Sequence, residues 1–309
     1  MIELKAAAEP VLYFIGVTTG QSSIMKIFPK WASYLGINAC IKGIDVKPHA
    51  PAEDYREIAS FIKKDPLSAG ALITSHKLDL FTACRDLFDY TDPYAEKLGE
   101  VSSLSKNNGL FCAHAKDPIS GGMALEDLVP RFFWAGHNGE VLLLGAGGSS
   151  LALSLYLMRK TAEEDRPGRI TITNRSEERL VSAKAALSQC NNTEIRFRHC
   201  PCPADNDRQI AALPPYSLII NATGLGKDAP GSPATDAVSF PEHSLVWEIN
   251  YRGDLLFMRQ ALAQKEEKKL IIENGWNYFI YGWTQVIQEV FHITIDAKQL
   301  NELSRIAHE

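Results

Sequence analysis

The segment Val141 to Ala152, VLLLGAGGSSLA, concentrates the chemistry of the chain: a continuous apolar run enters a glycine-rich turn and leaves it through small, helix-compatible residues. That order suits a nucleotide. Gly145 lets a strand end turn tightly, Gly147 lets the main chain approach a pyrophosphate, and Gly148 or Ala152 lets the next helix lie close to its sheet. The start of that helix, with Ala146 and Ser149 beside the glycines, points free N–H groups at the phosphates. On pattern alone the turn is equally a plain strand-to-helix connection, so the residues that follow decide.

Arg169 to Thr173, RITIT, alternates β-branched residues as a second strand, and Asn174, Arg175 and Ser176 stand where it ends. A carboxylate there would accept hydrogen bonds from the ribose hydroxyls of NAD. Asn174 with Arg175 instead leaves room and positive charge for the 2′-phosphate of NADP, and Arg179, one helical turn on, can close on the same phosphate. The plainer reading of both arginines is solvated surface charge.

The elements that must carry these residues form two alternating series. The first has strand-like 11–16, 39–46 and 71–74, with helical periodicity at 25–35, 52–63 and 77–88. Short segments at 100–104 and 110–113 follow, separated by the turn signal Lys106-Asn107-Asn108-Gly109. The second series begins near Pro118, with strands starting at Val141, Ile170, Glu194, Ser217 and Leu245, then 270–272; helices over 276–292 and 296–307 close the chain. Such alternation predicts an α/β protein built on parallel sheets.

Composition sets the class. A chain of 309 residues with a hydrophobic fraction of 45% supports about two domains with real cores. Its formal net charge of -5 comes without a basic stripe, which argues against nucleic acid and anionic membrane as partners. No apolar run approaches the ~18 residues of a membrane span, and the opening MIELKAAAEP lacks a signal-peptide core. The expected compartment is the cytoplasm, where six cysteines without framework spacing remain thiols. His199, Cys200 and Cys202 lack a second cluster to complete four ligands, so no metal is expected.

The order of segments resembles the shikimate/quinate dehydrogenase family over nearly the whole chain. The resemblance rests on Gly16 with Ser22 and Ser23, Thr74-Ser75-His76-Lys77, Gly99 to Leu104, and Asp117. It continues through Gly145-Ala146-Gly147-Gly148, Asn174-Arg175-Ser176, Asn221-Ala222-Thr223, Tyr251 and Gly275. It implies two domains, a substrate domain of 1–117 plus 276–309 and a Rossmann-type NADP domain of 118–275, with the reaction in the cleft between them. Lys77 and Asp117 correspond to the family's catalytic pair. Asn221, Thr223, Gly224, Tyr251 and Gly275 join the cofactor set, while Ser22, Ser23, Thr74, Ser102, Tyr251, Tyr278 and Gly282 form the substrate set. A small-molecule substrate and a monomer or homodimer are expected.

The substrate set is also where the chain departs from the pattern. Ile24 stands at the second serine of the family's pair, Ser102 at its asparagine, Ala115-Lys116 at its Asn-Thr, and Gly282 at its late glutamine. Each missing partner of a buried hydroxyl costs about 1–3 kcal/mol. Thr19, Ser23, Lys116, Asn277, Tyr278 and Gln285 are candidates to compensate; Ser23 is equally a helix cap, Tyr278 and Trp283 equally core aromatics, and Lys116 equally a solvent-facing charge. The expected function is therefore NADP-dependent interconversion of alcohol and ketone on a cyclic polyhydroxylated acid related to shikimate or quinate. The alternatives are a non-catalytic NADP-binding regulator and another two-domain NADP enzyme such as a methylene-folate dehydrogenase. Tyr156 and Lys160 have the Tyr-x-x-x-Lys spacing of short-chain dehydrogenases, but lie on the helix after the glycine turn and read as packing and surface residues. Gly148-Ser149-Ser150 lacks the closing glycine of a nucleophile elbow.

Overall fold

The computed structural model describes residues 4–159, 166–188, 193–227 and 229–309. Contacts divide the chain into two compact units, 1–116 with 282–309 and 117–281. Lys160 lies outside the described residues, as do the first three residues of the chain.

The first unit contains β1 (Val11–Gly16), α1 (Ile24–Leu35), β2 (Cys40–Asp45), α2 (Ala52–Lys64), β3 (Ser68–Ile73) and α3 (Lys77–Cys84). After them come β4 (Tyr90–Thr91), α4 (Pro93–Leu98), β5 (Ser103–Asn107) and β6 (Leu110–His114). The six strands form one sheet in the order β2-β1-β3-β5-β6-β4. Every residue of β1 is buried, as a central strand covered on both faces requires. Ile15, Ile44 and Ile73 of the sheet pack with Tyr55, Ile58 and Ile62 of α2 and Leu80 of α3.

This sheet is mixed rather than parallel throughout, since β5 runs antiparallel to both β3 and β6. The cause is local. Asn108 and Gly109 both adopt positive φ, 51° and 82°, the geometry of a tight hairpin that matches strand twist and forces reversal. Two boundaries also move. Residues 100–102 precede β5 instead of belonging to it, because Gly99 (φ 63°) ends α4 in a left-handed cap. The helix expected over 77–88 stops at Cys84 and tightens into a 3-10 turn at Arg85–Leu87. The short α4 was signalled by Asp92-Pro93: Oδ1 of Asp92 accepts from the Ala95 amide at 2.7 Å, with proline at the first helical position.

The second unit begins with α5 (Asp117–Leu128) and alternates through β7 (Val141–Leu144), α6 (Gly148–Arg159), β8 (Arg169–Asn174), α7 (Glu177–Leu187), β9 (Glu194–His199) and α8 (Pro203–Ala211). It ends with β10 (Leu218–Asn221), β11 (Leu245–Glu248), α9 (Leu256–Leu262), α10 (Lys265–Lys268) and β12 (Ile271–Glu273). Its strand order, β12-β11-β10-β7-β8-β9, is fully parallel. Sequence direction reverses between β7 and β10, the switch point at which doubly wound sheets take nucleotides. The last two helices are α11 (Trp276–Phe291) and α12 (Ala297–His308). The first six residues of α11 belong to the second unit and the rest to the first. In the first unit, the indole of Trp31 donates to the Leu303 carbonyl at 2.8 Å, fastening α1 to α12.

Candidate active site

In the second unit the glycine turn closes as its residues require. Gly145 sits at φ 107°, where a Cβ would also come within 2.9 Å of the Ala222 carbonyl, so no other residue fits without strain. The Ser150 hydroxyl donates to the Gly145 carbonyl at 2.6 Å. A Cβ on Gly147 would meet nothing within 4 Å, which leaves the mouth of the turn free for a phosphate group.

At the end of β8, the Asn174 side-chain amide donates to the Ser176 carbonyl at 3.2 Å. The Ser176 hydroxyl caps α7, accepting from the Arg179 amide at 3.4 Å. On β9, Nε2 of His199 stands 3.0 Å from the Arg175 carbonyl, and its Nδ1 3.2 Å from Glu177. Asn174 and Ser176 thus shape a loop that presents the exposed Arg175. His199 belongs to that loop's support, while the Cys202 thiol donates to Asp205 at 3.0 Å. Among the described residues no group of three His, Cys, Asp or Glu could hold a metal ion.

Asn221 is fully buried at the end of β10 and its side chain is spent internally. Its amide donates to Glu248 at 2.6 Å, and its carbonyl accepts from the Thr223 amide at 3.0 Å and the Thr223 hydroxyl at 2.6 Å. Glu248 also accepts from the Asn250 main chain at 2.9 Å and side chain at 2.7 Å. Burial outweighs these donors and pushes the Glu248 carboxyl up to about 7. Sequence reasoning missed this network, although a glutamate after Leu245-Val246-Trp247 in an apolar strand was its signal. Tyr251 packs against Phe279, ring centroids 4.5 Å apart. Gly275 is held against the Ile249 main chain, where a Cβ has no room.

Asp117, the first residue of α5, is buried. Its Oδ2 lies 3.1 Å from the Tyr278 hydroxyl, which is also 3.3 Å from the Ser149 hydroxyl in the first turn of α6. Tyr278 is therefore neither a plain core aromatic nor a free pocket residue. Close packing of the helices supports this arrangement: a Cβ on Gly121 would meet Leu153 at 2.7 Å, and one on Gly122 would run into the Tyr156 ring. The Tyr156 hydroxyl donates to Glu126 at 2.6 Å, a packing role.

In the first unit Lys77 opens α3 half-buried, immediately after two unusual neighbours. Ser75 holds a left-handed backbone, φ 50°, a cost of order 1–3 kcal/mol that concentrates at functional sites. His76 is buried with Nδ1 3.0 Å from the Tyr55 hydroxyl, and burial lowers its pKa, favouring the neutral ring. The Thr74 hydroxyl donates to the Ile15 carbonyl at 3.3 Å.

The remaining polar candidates of this unit are largely consumed by the fold. Thr19 bonds Asp45 through both amide and hydroxyl. The Ser102 hydroxyl accepts from the Lys116 amide at 2.7 Å and donates to the His114 carbonyl at 3.4 Å. The Lys116 ammonium does not face solvent: it pairs with Glu289 of α11, whose other oxygen lies 3.2 Å from Nε2 of His114. Nδ1 of His114 stands 3.6 Å from Asp92. Ser23 occupies the cap position of α1 without a capping side-chain bond, and Ser22 is buried beside Ile24, which is fully in the core. Trp283 is core too, edge-on to Phe14 at 5.1 Å. A Cβ on Gly282, by contrast, would meet nothing within 4 Å.

No protein-family model matches the chain. It is 25% identical over 226 residues to the NADP(+) shikimate dehydrogenase of Mesorhizobium japonicum, covering 73% of this chain and 71% of that one. Its fold matches the quinate dehydrogenase of Corynebacterium glutamicum, solved with NAD, at a TM-score of 0.74 and 18% identity over 96% of this chain and 98% of that one. The shikimate 5-dehydrogenase of Thermus thermophilus, solved with NADP(H) and shikimate, matches at 0.69 and 19% over 96% and 99%. In sequence the chain is similar to shikimate dehydrogenases, and its fold is similar to that of solved shikimate and quinate dehydrogenases.

Proposed function

We propose that the protein is an NADP-dependent oxidoreductase of the shikimate dehydrogenase type, interconverting a secondary alcohol and a ketone on a cyclic, polyhydroxylated small acid. The observation that carries this reading is the Asp117–Tyr278–Ser149 contact, which ties a buried carboxylate at the candidate reaction centre to the helix behind the nucleotide turn. The open mouth at Gly147 and the exposed Arg175 suit the pyrophosphate and 2′-phosphate of NADP. Bound NADP supplies the hydride acceptor at the carbinol carbon.

The chain's own residues handle the proton. In the proposed pair, Lys77 of the first unit relays the hydroxyl proton as hydride leaves carbon, and Asp117 of the second orients the ammonium. Consumption of Thr19, Ser102 and Lys116 by internal bonds supports a substrate other than shikimate itself, since a polyol held by fewer partners binds its transition state less tightly.

The test is spectrophotometric: NADP(H) with shikimate, quinate, amino-shikimate and cyclitol analogues, in both directions. Turnover of one or more is expected. NADPH binding without turnover of any would replace this reading with that of a non-catalytic NADP-binding protein.

A further inference from the structure

Tyr278 holds a position that packing alone does not require. Its ring is edge-on to Trp247 of β11 at 5.9 Å between centroids and lies against α5, where a Cβ on Gly121 would be 3.5 Å from it. A phenylalanine would make the same contacts. The hydroxyl is what differs, and it reaches both Asp117 and Ser149. A phenol has one proton, and an ionised carboxylate can only accept. Shared between these partners, that proton goes to Asp117, and the Ser149 hydroxyl donates to the phenol oxygen. The result is a directional chain from the first turn of α6, through α11, to the first residue of α5.

We propose that Tyr278 is a positioning residue for the reaction: its hydroxyl fixes the rotamer of Asp117 relative to the nucleotide turn, so that the carboxylate is presented in a constant direction. The inference rests on the functional reading above and assigns Tyr278 to the carboxylate rather than to substrate. A control lies one turn along the same helix. The Tyr281 hydroxyl donates to Asp127 near the other end of α5, an analogous contact made to a different carboxylate.

The experiment compares Tyr278→Phe and Tyr281→Phe with the unaltered protein, using the substrate found in the screen and following kcat, KM and NADPH affinity across pH. Tyr278→Phe should lower kcat about 10- to 100-fold with KM and NADPH affinity within about threefold. Tyr281→Phe should leave kcat within about twofold. Equal effects from the two variants, a Tyr278→Phe kcat within twofold of the unaltered protein, or a loss expressed wholly in KM would each overturn the proposal. Failure of the unaltered protein to turn over any substrate strikes the functional reading itself, so the two failures are distinguishable.

Discussion

The two units treat their polar side chains in opposite ways. In the second, Asn174, Ser176, Asn221 and Asn250 bond to nearby main chain, and in doing so leave a free-mouthed turn and an exposed arginine. In the first, the candidate groups Thr19, Ser102 and Lys116 are themselves taken up by inward bonds. Supporting bonds therefore identify a binding loop only when they expose something. Counting hydroxyls and amides near a predicted site cannot distinguish the two cases.

Removal of the proton carrier should produce the largest effect. Lys77→Ala is expected to cut kcat about 10²- to 10⁴-fold with NADPH affinity retained; steady-state kinetics alongside a fluorescence titration of NADPH tests it, and near-normal turnover would send the search to another residue.

Next in size is the attempt to rebuild the family's substrate residues. Ile24→Ser should destabilise the first unit by about 2–4 kcal/mol, because Ile24 is wholly buried and the hydroxyl would enter the core. Gly282→Gln, at a position with open space, should fold normally and improve efficiency on shikimate by up to about tenfold. Thermal unfolding and kcat/KM separate the two, and a stable Ile24→Ser protein would contradict the core placement.

Cofactor choice comes third. Replacing Arg175 and Arg179 with neutral residues should erase a preference for NADP over NAD of about 100-fold, from two charge-assisted contacts. Equal NAD and NADP affinity in the unaltered protein would remove the basis for that assignment.

The smallest effect tests the buried network of the second unit. The Glu248 carboxyl is raised from 4.5 to about 7 in the folded protein. Between those values the folded state holds a proton that the unfolded state releases, so this group's contribution falls as pH rises, by at most about 2 kcal/mol from pH 5 to 7. Glu248→Gln should flatten that slope. Chemical denaturation of both proteins at pH 5, 6 and 7 measures the difference, and parallel slopes would mean that Glu248 is ionised throughout.

Much of the second unit was legible because its signals are local: the apolar run before Gly145, the alternation of RITIT and the Asn-Arg-Ser at its end are each read within a few residues. The mixed sheet of the first unit was partly legible, in that the Asn108-Gly109 turn was recognised but its consequence for strand direction was not. Three facts were not readable from spacing. The Lys116–Glu289 pair joins residues far apart in sequence, Glu248 meets Asn221 only through the register of β10 and β11, and the Tyr278 hydroxyl finds Asp117 only once α11 and α5 are packed. Long-range polar contacts are products of topology, and no window of sequence contains them.

Gly121 and Gly122 act as a ruler. They lie one turn beyond Asp117, and the Leu153 and Tyr156 side chains fill the space their missing Cβ atoms leave. A larger residue there must push aside the Leu153 side chain or the Tyr156 ring, or else lift α5 from α6 and carry Asp117 away from Ser149. A saturation map of the protein should therefore show two intolerant positions that touch no ligand and carry no functional group, where even alanine lowers turnover. Such silent positions would mark a distance under selection, which a search for reactive side chains overlooks.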